Sequence, residues 1–314
     1  MPRVVYLGGL GRSGTTLLER LLGEFPGVCS VGEVVHLWQR GVAEAELCGC
    51  GEPLPDCAFW RKVGEAAFGG WTAADTRRIA DLRRAVDRIR HIPQLAAPTL
   101  RPSFRRALTE YTDYYRRVYE AIGNVSGCPV VVDSSKQASL AFCLRWRAEL
   151  DLRVIHVVRD SRAVAFSWAR TVNRPESVAR PYMAIYSPTK AARLWDCENG
   201  ALEWLAKEGV PTLRVRYEDL VTAPSAILAR VADFAGLDAS GTALGFLGGD
   251  ASTCWAELGV SHTASGNPMR FATGRTTIRA DDRWRTAMPA SQRRSVTALT
   301  LPLLVRYGYA TLAA

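Results

Sequence analysis

Lysine is nearly missing from this chain of 314 residues: of its 40 basic side chains only Lys62, Lys136, Lys190 and Lys207 are lysines. The formal charge of +9 is therefore carried by arginine. A general arginine-for-lysine surface and an anionic ligand both fit such a charge, and charge alone does not separate them. It does single out any lysine that stands inside a motif. Long apolar runs are also lacking. None approaches the roughly 20 residues of a membrane span, which excludes a helical membrane anchor. The start, "MPRVVYLGG", enters an apolar run directly, with no basic leader and no small-residue cleavage site, so a cytoplasmic protein is expected. No helix-turn-helix, RNA-recognition or zinc-finger pattern occurs and the arginines are dispersed, which argues against a nucleic-acid module. Internal repeats and low-complexity stretches are lacking too.

Eight cysteines without a leader read as reduced thiols rather than a disulfide framework. Cys48, Cys50 and Cys57 cluster in "CGCGEPLPDC". Three close thiols could begin a zinc site, but a structural site takes four ligands and no further Cys or His follows nearby. An ordered loop or an occasional disulfide is expected, and no metal is assigned.

What is present is the composition of a globular chain, 48% hydrophobic and 23% charged, long enough for one large domain. Short β-branched runs at Val4–Leu7, Val130–Val132, Val154–Val158 and Thr212–Val215 predict buried parallel strands. Helical patterns follow at Thr15–Leu22, Gln137–Glu149 and Asp160–Thr171. The alternation predicts an α/β, P-loop-like fold of three layers, a central parallel sheet flanked by helices. Ligands of such sheets sit at the carboxyl ends of the strands. Residues 42–127 read as a mostly helical insertion in a single domain spanning 1–314, placed to shape a second ligand's site. In it Ile79, Leu82, Val86, Ile89 and Ile92 recur at helical spacing.

The stretch "YLGGLGRSGTTLLERLL" has the form strand, glycine loop, helix. Gly11 and Gly14 let the backbone approach an anion, and the helix points free N–H groups at it. Arg12 adds charge; Ser13, Thr15 and Thr16 add hydroxyls. The Gly-Lys-Ser/Thr of nucleotide triphosphatases is missing, as is a convincing carboxylate for Mg²⁺, so a P-loop kinase or ATP hydrolase is the weaker alternative. Further on, "RVIHVVRDSRAVAFSW" places Arg159 at a strand end and Ser167 two turns into the next helix, near the face on which Arg159 enters. Both could grip one phosphate.

Together "GRSGTT" and the Arg159/Ser167 pair resemble the sulfotransferase family, whose donor is 3'-phosphoadenosine 5'-phosphosulfate (PAPS). "LRVRYEDL" is similar to the family's Tyr-Glu-Asp segment, which implies that Tyr217 lies by the adenine. "SGNPMRFATGRTTIRADDRWR" resembles the C-terminal donor-binding segment of bacterial members, with Arg270 the implied contact on the 3'-phosphate side. The resemblance implies that the loop holds the 5'-phosphosulfate and that Arg159 and Ser167 hold the 3'-phosphate, with no metal. The product would be adenosine 3',5'-bisphosphate and the acceptor the hydroxyl of a small molecule, lipid or glycoside.

Transfer would be in-line, through a loose transition state with charge growing on the leaving oxygen. Arg12 sits where the family places the cation for that oxygen. Lys136, in "VVVDSSKQ", matches a lysine near the sulfuryl group; Ser134 and Ser135 beside it could cap the following helix or touch the donor, and capping is expected. The attacking hydroxyl needs a base. The histidine that many members carry after this strand is missing here. Tyrosylprotein sulfotransferases use a glutamate beyond the first loop-helix unit, and an ungapped count from Arg12 brings that position to Glu33. His36, three residues on, is the alternative base. His156 reads as a core residue, His91 as part of an insertion helix, and His262 as a loop residue that could approach the ligand. Trp38, Trp168 and Trp195 could line an acceptor pocket or pack the core.

Overall fold

Val4–Leu7 can tolerate no water on either side, and the computed structural model puts it at the centre of a sheet. The structure describes residues 1–174, 181–239, 243–249 and 253–311. Five strands, β1 (Arg3–Gly8), β2 (Val28–Ser30), β3 (Val130–Lys136), β4 (Leu152–Val158) and β5 (Thr212–Arg216), pair in parallel in the order β2-β3-β1-β4-β5. The four strands expected from the sequence are all present. β2 is an addition; three residues with one half-exposed leave too short an apolar run to read.

The period of two divides each central strand between two cores. Val4, Tyr6, Val131 and Val154 face one, with the insertion helices; Val5, Leu7, Val130, Val132, Ile155 and Val157 face the other. The second core is closed by the helix α1 (Thr15–Leu22), all of whose residues are buried, and by a small antiparallel sheet of Leu247–Gly248, Trp255–Leu258 and Gly274–Thr277. That sheet has no signature in the sequence, because its strands of two to four residues are too short to show a period.

Between β2 and β3 run mainly helices, the longest being Pro102–Ser126, opened by a proline in its first turn and closed by left-handed Gly127. The helix read through Ile79 to Ile92 breaks instead. Thr76–Val86 is one helix, capped by Asp75, which accepts from Arg78 N. Asp87 stops it because its carboxylate turns inward, taking Tyr111 Oη at 2.7 Å and Ser139 Oγ at 2.5 Å. Ile89 is consequently exposed while Ile79, Leu82, Val86 and Ile92 are buried. After β3 and β4 the helices Ala138–Leu144 and Ser161–Trp168 are shorter than the expected 137–149 and 160–171. No helix among the described residues is long and apolar enough to cross a membrane.

Candidate functional site

Every strand of the parallel sheet ends at one cavity of about 630 Å³. The glycine loop follows β1, Glu33 lies just beyond β2, and Lys136 is the last residue of β3. Arg159 follows β4 and Tyr217 follows β5. The cavity lies where strand order reverses about β1, the usual ligand position in open α/β sheets.

Gly14 caps α1 in the left-handed region (φ 92°), and a Cβ there would overlap Cδ2 of Tyr217. Only glycine lets the tyrosine ring lie on the loop. Arg12 (φ 76°) and Lys136 (φ 72°) are two of the three non-glycine residues with positive φ among the described residues. That conformation costs on the order of 1–2 kcal/mol each. Around the loop, Trp168 donates its indole N–H to Gly11 O at 2.8 Å, and the Arg12 guanidinium lies 5.2 Å from the same indole. Buried Nε and Nη2 of Arg12 and Oγ of Ser13 have no protein partner. A multi-oxygen anion in the cavity would satisfy the two Arg12 nitrogens, whereas Ser13 is fully buried and does not line the cavity. Burial lowers the Arg12 pKa, with Glu33 opposing, yet the group stays cationic near neutrality.

The second motif touches the first. Arg159, 7% exposed, donates Nη1 to Arg12 O at 3.2 Å and Nη2 to Asp281 O at 3.0 Å, and its plane stacks 4.4 Å over Tyr217. Its Nε is buried without a protein partner. Ser167 lines the same cavity. Sequence-distant Arg12, Arg159, Ser167 and Tyr217 thus share one wall.

In the same cavity Lys136 Nζ donates to Glu33 Oε1, and His36 Nε2 stands 3.4 Å from Glu33 Oε2. Burial pushes the Glu33 pKa up, but Lys136, then His36, outweigh it and hold the carboxyl down at about 2. Burial lowers His36 to about 3 against the opposing pull of Glu33, so its imidazole is neutral at pH 7. Asp133, fully buried, sets this corner: its Oδ1 accepts from Ser135 N (2.7 Å) and Oγ (2.5 Å), and Ser135 Oγ in turn accepts from Val35 N at 2.9 Å. Ser135 therefore braces the turn that carries Glu33, and Ser134 Oγ donates to Glu19 Oε2 at 2.9 Å. Neither serine caps the helix after β3, whose cap position is Gln137.

Arg270 does not reach the cavity wall. Only 1% exposed, it donates Nη1 to Thr263 O (2.9 Å) and Nη2 to Leu47 O (2.8 Å), tying the C-terminal segment to the insertion. Gly266, Asn267 and Arg279 of that segment line the cavity instead. Arg279 was within reach of the sequence, since it stands in the quoted segment. Glu198 and Arg40 also line the cavity and carried no local signal. Burial raises Glu198 to about 7, with the Ala138 N–H opposing. Of the remaining candidates, His156 is a core residue bonded to Asn199 at 2.7 Å. Trp38 and Trp195 are core and Trp168 alone of the three lines the cavity. His262 lies apart from the cavity, among Cys48, Cys50 and Cys57.

The model of the sulfotransferase family matches residues 2–241. The chain belongs to the sulfotransferase family. Two solved structures extend the likeness over the whole chain. The sulfotransferase domain of the Synechococcus PCC 7002 olefin synthase aligns at TM-score 0.51 and 19% identity, over 99% of this chain and 96% of that one. The sulfotransferase domain from the curacin biosynthetic pathway aligns at 0.53 and 17%, over 99% of each. At such identities the likeness establishes the sulfotransferase fold. A sequence comparison with curated proteins found no match. The family match stops at 241, so the cavity-lining residues Gly266, Asn267 and Arg279 of this sulfotransferase lie outside it.

Proposed function

We propose that this sulfotransferase moves a sulfuryl group from PAPS to a hydroxyl of a small-molecule, lipid or glycoside acceptor. The observation that carries the reading is the pair of buried guanidinium groups with unpartnered nitrogens, Arg12 and Arg159, that line one cavity. Arg12, Ser13, Gly14 and the first turn of α1 would hold the 5'-phosphosulfate. Arg159 and Ser167 would hold the 3'-phosphate, and Tyr217 would carry the adenine. No metal carboxylate is required, because charge is met by guanidinium groups, hydroxyls and N–H dipoles. The insertion at 42–127 would shape the acceptor side.

In the reaction the acceptor oxygen attacks sulfur while the bond from sulfur to the 5'-phosphate oxygen breaks. Arg12 stabilises the charge left on that oxygen, and Glu33 takes the acceptor's proton. Glu33 is a weak base while Lys136 holds it. If Lys136 swings its ammonium to the sulfuryl oxygens, it stabilises the transferring group and releases the carboxylate in one movement. Base strength then rises only when the donor is in place.

Thermal melting tests the donor. Adenosine 3',5'-bisphosphate without Mg²⁺, at about 100 times its Kd, should add about 2.7 kcal/mol of stability, and Arg159→Ala should remove most of the shift. A larger stabilisation by ATP with Mg²⁺ would overturn the reading.

A further inference from the structure

Cys48 and Cys50 lie in the turn closed by the Leu47–Pro53 bridge at the head of the insertion, Cys57 caps the helix Ala58–Phe68 that follows, and chain folding brings His262 onto them. The three Sγ atoms and His262 Nδ1 all lie within 4.8 Å of one another. Cys50 Sγ to Cys57 Sγ is 3.7 Å, and His262 Nδ1 is 3.3 Å from Cys57 Sγ and 3.8 Å from Cys48 Sγ. A tetrahedral zinc with sulfur ligands at ~2.3 Å and nitrogen at ~2.0–2.1 Å requires edges of about 3.8 Å between sulfurs and about 3.6 Å from sulfur to nitrogen. The three separations of 3.7, 3.3 and 3.8 Å lie close to those edges, and the remaining three are no longer than 4.8 Å. They are well beyond the ~2.05 Å of a disulfide bond, and any one disulfide would strand a third thiol and the imidazole.

We infer that this chain binds one structural zinc ion through Cys48, Cys50, Cys57 and His262, a site separate from the catalytic cavity. Four protein ligands close the coordination sphere, so the ion braces and does not catalyse. The ring of His262 is set for the role. It stacks on Phe59 at 5.0 Å with 17° between planes, and its backbone carbonyl accepts from Trp60 Nε1 at 2.8 Å. What it braces is the wall behind Glu33. Beside His262, Thr263 O accepts from Gly49 N at 3.0 Å, Ala264 N donates to Val31 O at 2.8 Å, and Ser265 O accepts from Glu33 N at 3.2 Å. One ion therefore pins the insertion's first turn to the strip that holds the β2–Glu33 loop.

Metal analysis and native mass spectrometry of the full chain, purified under reducing conditions, should find one zinc per chain. Cobalt exchange should give the intense visible absorption of a tetrahedral, thiolate-ligated ion. Cys57→Ser and His262→Ala should lose the metal and melt at lower temperature, while Cys197→Ser, at an exposed cysteine outside the cluster, should keep it. Should the buried Cys57 variant fail to fold, Cys50→Ser at the half-exposed ligand decides. It should weaken zinc binding by more than the roughly 100-fold that loss of a supporting residue costs. A folded chain without zinc that develops no cobalt absorption overturns the inference, and so does unchanged zinc affinity in Cys50→Ser.

Discussion

Replacing Glu33 by glutamine keeps shape and removes the proposed proton acceptor, which makes it the sharpest probe of the chemistry. The structure gives two magnitudes. In the folded chain the Glu33 carboxyl is held at about 2 instead of 4.5. A depressed carboxyl contributes stability that is present above its unfolded pKa and lost as pH falls toward 2, here about 3 kcal/mol at neutrality. Glu33→Gln should therefore melt several degrees lower, and assays belong well below that temperature. The second magnitude is kinetic. A positioned base accelerates proton removal by roughly 10²–10⁴, or about 3–5 kcal/mol of barrier. Turnover of labelled PAPS with an aliphatic alcohol should fall by that factor. A nitrophenol already ionised at the assay pH has no proton to give, so its turnover should fall only slightly. Affinity for adenosine 3',5'-bisphosphate should hold or tighten, because Lys136 is freed. Equal losses with both acceptors would refute a base role and leave Glu33 as a clamp for Lys136; full activity with the alcohol would move the base to His36.

Gly14→Ala should place a methyl inside the Tyr217 ring at a left-handed position. The strain and displaced ring should lower Tm by roughly 5 °C and weaken bisphosphate binding by about 10-fold or more in calorimetry; unchanged affinity would show that Tyr217 is no part of the donor site. Glu19 is buried beneath the loop, and burial raises it to about 7 against the opposing Ser134 hydroxyl. A raised carboxyl stabilises below its unfolded pKa and loses that contribution as pH rises through 7. Glu19→Gln should hence melt above the parent at pH 8, by up to about 3 kcal/mol, with the advantage shrinking by pH 5. A constant difference across that range would contradict the burial argument.

The primary structure by itself determined the parallel sheet, because Val4–Leu7, Val130–Val132 and Val154–Val158 are continuous apolar runs that only a doubly covered strand can hide. It also determined the glycine loop and the Arg159 turn, since backbone approach and strand-end charge are local properties. The position of Glu33 came from counting along a resemblance. Tertiary structure alone decided what those residues meet. Arg270 has the charge for a phosphate but is spent on Thr263 and Leu47 carbonyls. Asp87 ends a helix whose apolar spacing continues to Ile92, because two buried hydroxyls claim its carboxylate. Most plainly, Cys57 and His262 are 205 residues apart and 3.3 Å apart. Spacing rules describe neighbours along the chain, whereas a ligand set assembled from two ends of the molecule is specified by packing, and packing is written in three dimensions.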